Sequence, residues 1–152
     1  MNPISADAVK LYVKQNIRSF HDAKLEALRK LKLDHILRQK NPYLFKAKNI
    51  SLAQDLVRSL LDAFLSSQEE GIFGDFLEAL AVFVNQEAYG GKKSAAQGID
   101  LEFDKDGIRY IVNVKSGPNW GNSGQIREMN ENFNRAKKII RARNKNINVQ
   151  AV

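Results

Sequence analysis

The stretch Ile99-Asp-Leu-Glu-Phe-Asp-Lys-Asp-Gly-Ile-Arg-Tyr-Ile-Val-Asn-Val-Lys115 decides the fold. Ile99, Leu101 and Phe103 alternate with Asp100, Glu102 and Asp104, the period of two of a strand with one apolar face. Asp104-Lys-Asp-Gly107 is turn chemistry, and beyond it Ile108, Tyr110, Val112 and Val114 alternate with Arg109, Ile111, Asn113 and Lys115. The pair predicts a β-hairpin. If Leu101, Phe103, Tyr110, Val112 and Val114 face the core, then Asp100, Glu102, Asn113 and Lys115 share the other face.

Upstream, the period changes from 2 to 3.6. Phe73, Phe76, Leu77, Leu80, Ala81 and Val84 lie on one helical face, with Asp75, Glu78 and Asn85 on the narrow polar side, so Glu78 is expected to look toward a site. Gly90-Gly91 ends this helix. Ser66 with Glu69, or Ser67 with Glu70, reads as its start, and Ser51 with Gln54 opens a separate helix to about Leu65. Before that, Ser5 to about Gln39 has the spacing of a helix pair, including Val9, Val13, Ile17 and Phe20. Asn41-Pro42 then breaks the run. Tyr43, Phe45, Lys46 and Lys48 read as a basic and aromatic loop.

Downstream, Ser116 to Gly124 is a glycine- and asparagine-rich loop in which Trp120 is expected to pack. Ile126, Met129, Phe133 and Ile140 mark a long amphipathic helix to about Arg143, and Ile147 to Val152 reads as a last strand. The whole is α/β (α+β), a mixed sheet flanked by helices. It divides into an N-terminal helical region over 1–50 and a core over 51–152.

The chain has 152 residues and no cysteine, which excludes disulfide scaffolds, cysteine-zinc folds and thiol catalysis. Its longest nearly continuous apolar stretch, Leu77 to Val84, contains Glu78 and is far short of the ~20 residues that span a bilayer. With no basic-then-apolar leader at Met1, a cytoplasmic location is the expectation. The net charge is +7, from 24 Lys and Arg against 17 Asp and Glu. Residues 1–60 hold 12 basic and 5 acidic groups, 61–112 hold 4 and 10, and 113–152 hold 8 and 2, giving +7, −6 and +6. A carboxylate-rich centre between basic flanks suits a protein that holds a metal ion beside a polyanion; solvated helix faces would give a similar profile.

Side chains on one hairpin face lie ~5 Å apart directly across and ~7 Å diagonally, close enough for carboxylates and a lysine to meet at one phosphate. A Mg²⁺ ion takes hard oxygen ligands, accepts one or two carboxylates and draws the rest from water and phosphate. Asp100 would be its central ligand, with the Val114 carbonyl, the Asn113 amide oxygen, Glu78 and Glu102 as further donors. Lys115 would hold the attacking water and offset charge on the phosphate. An Asp followed about a dozen residues later by x-x-Lys is the layout of a metal-dependent nuclease. A plain surface ion pair is the alternative for Asp100 and Lys115, and a buried ion pair for Glu78.

Gly98-Ile-Asp100-Leu, followed by Tyr110-Ile-Val-Asn113-Val-Lys115-Ser-Gly-Pro-Asn-Trp-Gly-Asn-Ser123, resembles type II restriction endonucleases of the PD-(D/E)XK superfamily, closest to the PmeII-like group. Asn41-Pro-Tyr-Leu-Phe-Lys-Ala-Lys-Asn49 and Ser66-Ser-Gln-Glu-Glu70 with Phe73-Gly74 extend the likeness over nearly the whole chain. The resemblance implies an αβββαβ core, Mg²⁺-dependent cleavage of double-stranded DNA with Mn²⁺ as substitute, a homodimer and a cognate DNA methyltransferase. Asn113 stands where the superfamily consensus has Asp or Glu, so Glu78 or Glu102 is expected to supply that acid. Relatives continue beyond the last strand, which suggests a C-terminally truncated chain. A truncated, inactive DNA-binding relative and a sequence-nonspecific repair nuclease are the rival functions.

DNA contacts are expected from Lys92, Lys93, Ser116, Asn119, Asn122, Ser123, Gln125 and Arg127, with a capped loop as the plainer reading of the loop residues. Lys46, Lys48, Arg135 and Lys138 would at most contact phosphates nonspecifically. His21 and His35 stand alone on helices and read as structural.

Overall fold

The computed structural model describes residues 4–117 and 120–152, with only the backbone of Gln39 and Pro42. Nine elements follow in order: α1 (Ala6–Lys30), α2 (Leu33–Gln39), α3 (Pro42–Ala47), α4 (Ala53–Tyr89), β1 (Lys92–Lys93), β2 (Leu101–Lys105), β3 (Ile108–Val112), α5 (Ser123–Arg143) and β4 (Asn148–Ala151). From α4 onward this is the expected αβββαβ order. The residues group into two compact units, Met1–Asn16 with Gly74–Val152, and Ile17–Phe73.

In the first unit the strands form one mixed sheet in the order β1-β2-β3-β4. The first three are antiparallel neighbours, and β4 runs parallel to β3. Asp106 and Gly107 both have positive φ, 53° and 75°, which gives the hairpin turn a backbone twist matched to the strands. Leu101 pairs with Val112, Glu102 with Ile111, Phe103 with Tyr110 and Asp104 with Arg109.

That register corrects the expectation of one apolar and one polar face. Ile111, opposite Glu102, is fully buried and joins Ile99, Phe133, Ala136 and Val149 in the core beneath α5. On the other face Tyr89 at the end of α4 stacks on Phe103 at 4.7 Å, and Phe103 stacks on Tyr110 at 5.0 Å. Both faces are therefore covered by a helix. Alternation assigns a side chain to a face, but the helices packed outside decide whether that face sees water. The buried Asn85 closes the α4 side, its side-chain Nδ2 donating to the Glu102 backbone carbonyl at 3.3 Å and its backbone carbonyl accepting from Gly91 N–H. A Cβ at residue 91 would collide with the Asn85 amide, so glycine is required there by space.

α5 starts with a capping box: the Asn122 side chain accepts from Gln125 N–H at 3.0 Å, and the Gln125 side chain from Asn122 N–H at 2.9 Å.

The second unit is helical. Leu60 and Ile36 are buried in it, Phe20 meets Phe73 edge to face at 6.2 Å, and Lys24 pairs with Glu69. Two expectations change here. The basic and aromatic segment at Tyr43, Phe45 and Lys46 is the helix α3 and not a loop, with Lys48 as its C-cap: Asn41 accepts from Tyr43 N–H at 3.0 Å, and Pro42 sits where its missing donor costs nothing. The two helices expected on either side of Ser66 are one continuous α4. Serine inside a helix costs only a few tenths of a kcal/mol and each of Gly71 and Gly74 about 1 kcal/mol, which apolar contacts on both sides outweigh. Among the described residues no helix is long and apolar enough to cross a membrane.

Candidate active site

The hairpin ladder continues past its last strand pair at the end that carries Asp100. Asp100 N–H donates to the Val112 carbonyl at 2.9 Å, and the Asp100 carboxylate turns back to accept Val114 N–H at 2.6 Å. Asn113, beside it, donates from Nδ2 to the Gly98 carbonyl at 2.9 Å. Its Oδ1 is buried and has no hydrogen-bond partner among the described residues. Lys115 is exposed, with its ammonium 5.2 Å from the centre of the Trp120 ring. Asn113, Lys115 and Trp120 line a cavity of about 330 Å³ with Gly98, Gln125 and Glu128. Asp100, Asn113, Val114 and Lys115 are thus brought to one end of one hairpin.

The sequence model of the type II restriction endonuclease EcoO109I family matches residues 7–152. The chain belongs to that family. No curated protein and no solved structure matches it. The match covers both compact units and every candidate residue, so in this EcoO109I-type chain the placement of each of them can be followed through the sheet.

Glu78 projects from α4 and pairs with Lys93 of β1 at 2.9 Å. A hydrogen bond to Glu78, then that carboxylate's charge, and more weakly the charges of Asp100 and Asp75, hold the Lys93 ammonium above its ordinary pKa. Glu78, Asp75 and Lys93 line one cavity on the α4 side, and the Asp100 charge reaches into it. Glu102 is elsewhere. It pairs with Lys92 at 3.3 Å and lines a different cavity with Arg109, Ala136 and Ile140, under α5. Glu78 and Glu102, the two alternative sources of the missing acid, therefore line different cavities, because adjacent Lys92 and Lys93 of β1 send their side chains to opposite faces. Among the described residues no three His, Cys, Asp or Glu side chains gather closely enough to hold a metal ion.

Of the expected DNA contacts, Lys92 and Lys93 are held in these ion pairs. Asn122 and Gln125 are the capping box of α5, Ser123 is its first residue and Arg127 is exposed on its second turn. Ser116 lies next to Gly74 of α4, where a Cβ would come within 3.8 Å of its Oγ. Asn119 falls outside the described residues. Two partnerships have no periodic signal in the sequence. The Glu78–Lys93 pair joins residues fifteen apart, and the Lys115–Trp120 contact crosses a loop; neither spacing is a helical or strand period. The lone tryptophan five residues after the lysine was the available hint.

Proposed function

We propose that the chain hydrolyses phosphodiester bonds of double-stranded DNA, with Asp100, Asn113 and Lys115 at the reacting phosphate. The observation that carries this reading is the convergence of these three residues at one hairpin end in a chain of the EcoO109I family. The PmeII-like affinity is part of the same reading.

The donor set fits a hard divalent cation, Mg²⁺ with Mn²⁺ as substitute. Asp100 offers a carboxylate, and Asn113 Oδ1 is a buried acceptor without a donor among the described residues, a group that costs free energy unless something satisfies it. The Val114 carbonyl and Glu78 are the further oxygen donors we assign, and we rank Glu102 below Glu78 because the Asp100 charge acts on Lys93, the partner of Glu78. When bound, the cation supplies positive charge at the phosphate and lowers the pKa of a water. The protein's own part is positional. The Val114 N–H fixes the Asp100 carboxylate, the Gly98 carbonyl fixes the Asn113 amide, and the Lys115 ammonium offsets charge that builds on the phosphate oxygens during water attack. Lys92, Lys93, Ser116, Asn119, Asn122, Ser123, Gln125 and Arg127 are assigned to DNA contact around this centre. One such centre cuts one strand, so a two-fold homodimer is the assembly that cuts both. A cognate methyltransferase would protect host DNA, and the compartment is the cytoplasm.

The test is plasmid DNA of mixed sequence with Mg²⁺ or Mn²⁺, alongside an Asp100→Ala chain and a chelator control. Discrete fragments that vanish in both controls are the expected result. A sequence-blind degradation ladder would instead indicate a repair-type nuclease. DNA retardation in a gel without cutting would leave a DNA-binding relative whose Asn113 has cost it the chemistry.

A further inference from the structure

We infer that Trp120 is a positioning residue for Lys115, presenting the lysine ammonium to the reacting phosphate through the face of its indole ring; this rests on the nuclease reading above. Lysine has a flexible four-carbon stem, and an exposed one samples many rotamers unless something holds its head. Lys115 is exposed and in no ion pair among the described residues, yet its Nζ lies 5.2 Å from the Trp120 ring centre, within the ~6 Å over which a ring quadrupole attracts a cation. Trp120 is itself half-buried, in the cavity that also holds Asn113, Gln125 and Glu128. Gly121, with φ 85°, lets the chain turn directly after it into the capping box at Asn122 and Gln125. The ring is therefore anchored by the start of α5, while the lysine extends from the end of β3. The contact links the two elements that frame the site.

A neutral ring is suited to this task. A carboxylate partner would hold the ammonium more firmly but would cancel the charge it brings to a phosphate. The indole face leaves that charge intact and limits the stem to fewer positions. A misplacement of ~1 Å in a reacting group costs on the order of a hundredfold in rate, so a partial loss of positioning is expected to lower turnover about tenfold.

The experiment has two arms on the full chain. The chain has one tryptophan, so its intrinsic fluorescence reports this ring alone. Lys115→Met is expected to shift the emission or change its intensity, whereas Lys138→Met, on the distant part of α5, is not. An emission spectrum untouched by Lys115→Met would overturn the contact itself, whatever the chain does to DNA. In the second arm, Trp120→Leu is expected to lower kcat for DNA cleavage about tenfold with KM little changed, and Trp120→Phe to retain most of the rate because an aromatic face remains. Equal rates for the Leu and Phe variants would mean that the ring only fills space, and would overturn the proposal while leaving the nuclease reading intact. Absence of cutting by the unaltered chain, with the fluorescence response present, would instead overturn the nuclease reading and with it the catalytic purpose of the contact. Circular dichroism and thermal melting of each variant separate these outcomes from misfolding.

Discussion

Lys92 and Lys93 are adjacent in sequence and each pairs with a glutamate, yet they serve opposite sides of the sheet. Lys92 reaches Glu102 on the α5 side, whose floor is the fully buried Ile111 with Phe133 and Ala136. Lys93 reaches Glu78 on the α4 side, beside a stack of Tyr89, Phe103 and Tyr110. Lys93 also feels the charge of Asp100. Two carboxylates that are equivalent as candidates by composition are thus separated by a layer of backbone.

The sharpest way to break this comparison is at Asp100. If the hairpin end is the reacting centre, Asp100→Ala should lower DNA cleavage about a thousandfold, the scale seen when a charge-stabilising group is removed from a site. Glu102→Gln, on the other face, should stay near the unaltered rate in the same plasmid assay.

Next is the floor of the α5 side. Ile111→Ala removes a fully buried side chain and should cost about 2–5 kcal/mol, read by urea or thermal unfolding. Ile139→Ala, at a half-exposed position of α5, should cost much less. Equal losses would mean that the core is not where the burial places it.

Between the two glutamates, Glu78→Gln should reduce cleavage about tenfold, the effect of a residue that orients or supplements the site, whereas Glu102→Gln should change it less than twofold. The pH dependence of the Glu78–Lys93 pair has a definite sign. Lys93 is raised in the folded chain, so the pair's contribution is complete below lysine's ordinary 10.5 and fades only as pH climbs through the raised value. Any change in Glu78→Gln at neutral pH is therefore not a titration of Lys93.

The smallest effect is expected at Arg109. Its guanidinium grips Asp104 through two hydrogen bonds, at 2.8 and 2.7 Å, and holds that carboxyl below its ordinary pKa of 3.8. That contribution is present above the ordinary value and lost as pH falls through the depressed one. Both groups are partly exposed, so Arg109→Ala should cost only about 0.5 kcal/mol at neutral pH, with the difference from the unaltered chain disappearing in acid.

Much of the fold could be read in advance. The hairpin, its turn at Asp106-Gly107, the helix before it and the helix and strand after it all follow from periodicity, because period 2 and period 3.6 are local signals that each segment carries alone. Elsewhere a local signal is outvoted by its surroundings. Ser66 and Ser67 look like caps but lie inside a helix that continues through them, and the proline at 42 that ends one helix also starts the next. The meeting of Asp100, Asn113 and Lys115 at one hairpin end is legible from its register. The different cavities that Glu78 and Glu102 line are not, since they depend on which helix covers which face. Nor is the partner of Lys115, because the loop after β3 has no period to extrapolate.

The amino-acid sequence by itself determined the hairpin, the helix and strand after it, and the placement of Asp100, Asn113 and Lys115 at one hairpin end, since strand alternation and turn chemistry act over a few residues. Only the tertiary structure decided that both faces of the sheet are closed, that Glu78 and Glu102 fall on opposite sides of it, and that the indole of Trp120 lies against the Lys115 ammonium. Those facts depend on contacts between segments far apart in the chain, where packing of α4 and α5 against the sheet, and not local preference, sets which groups meet.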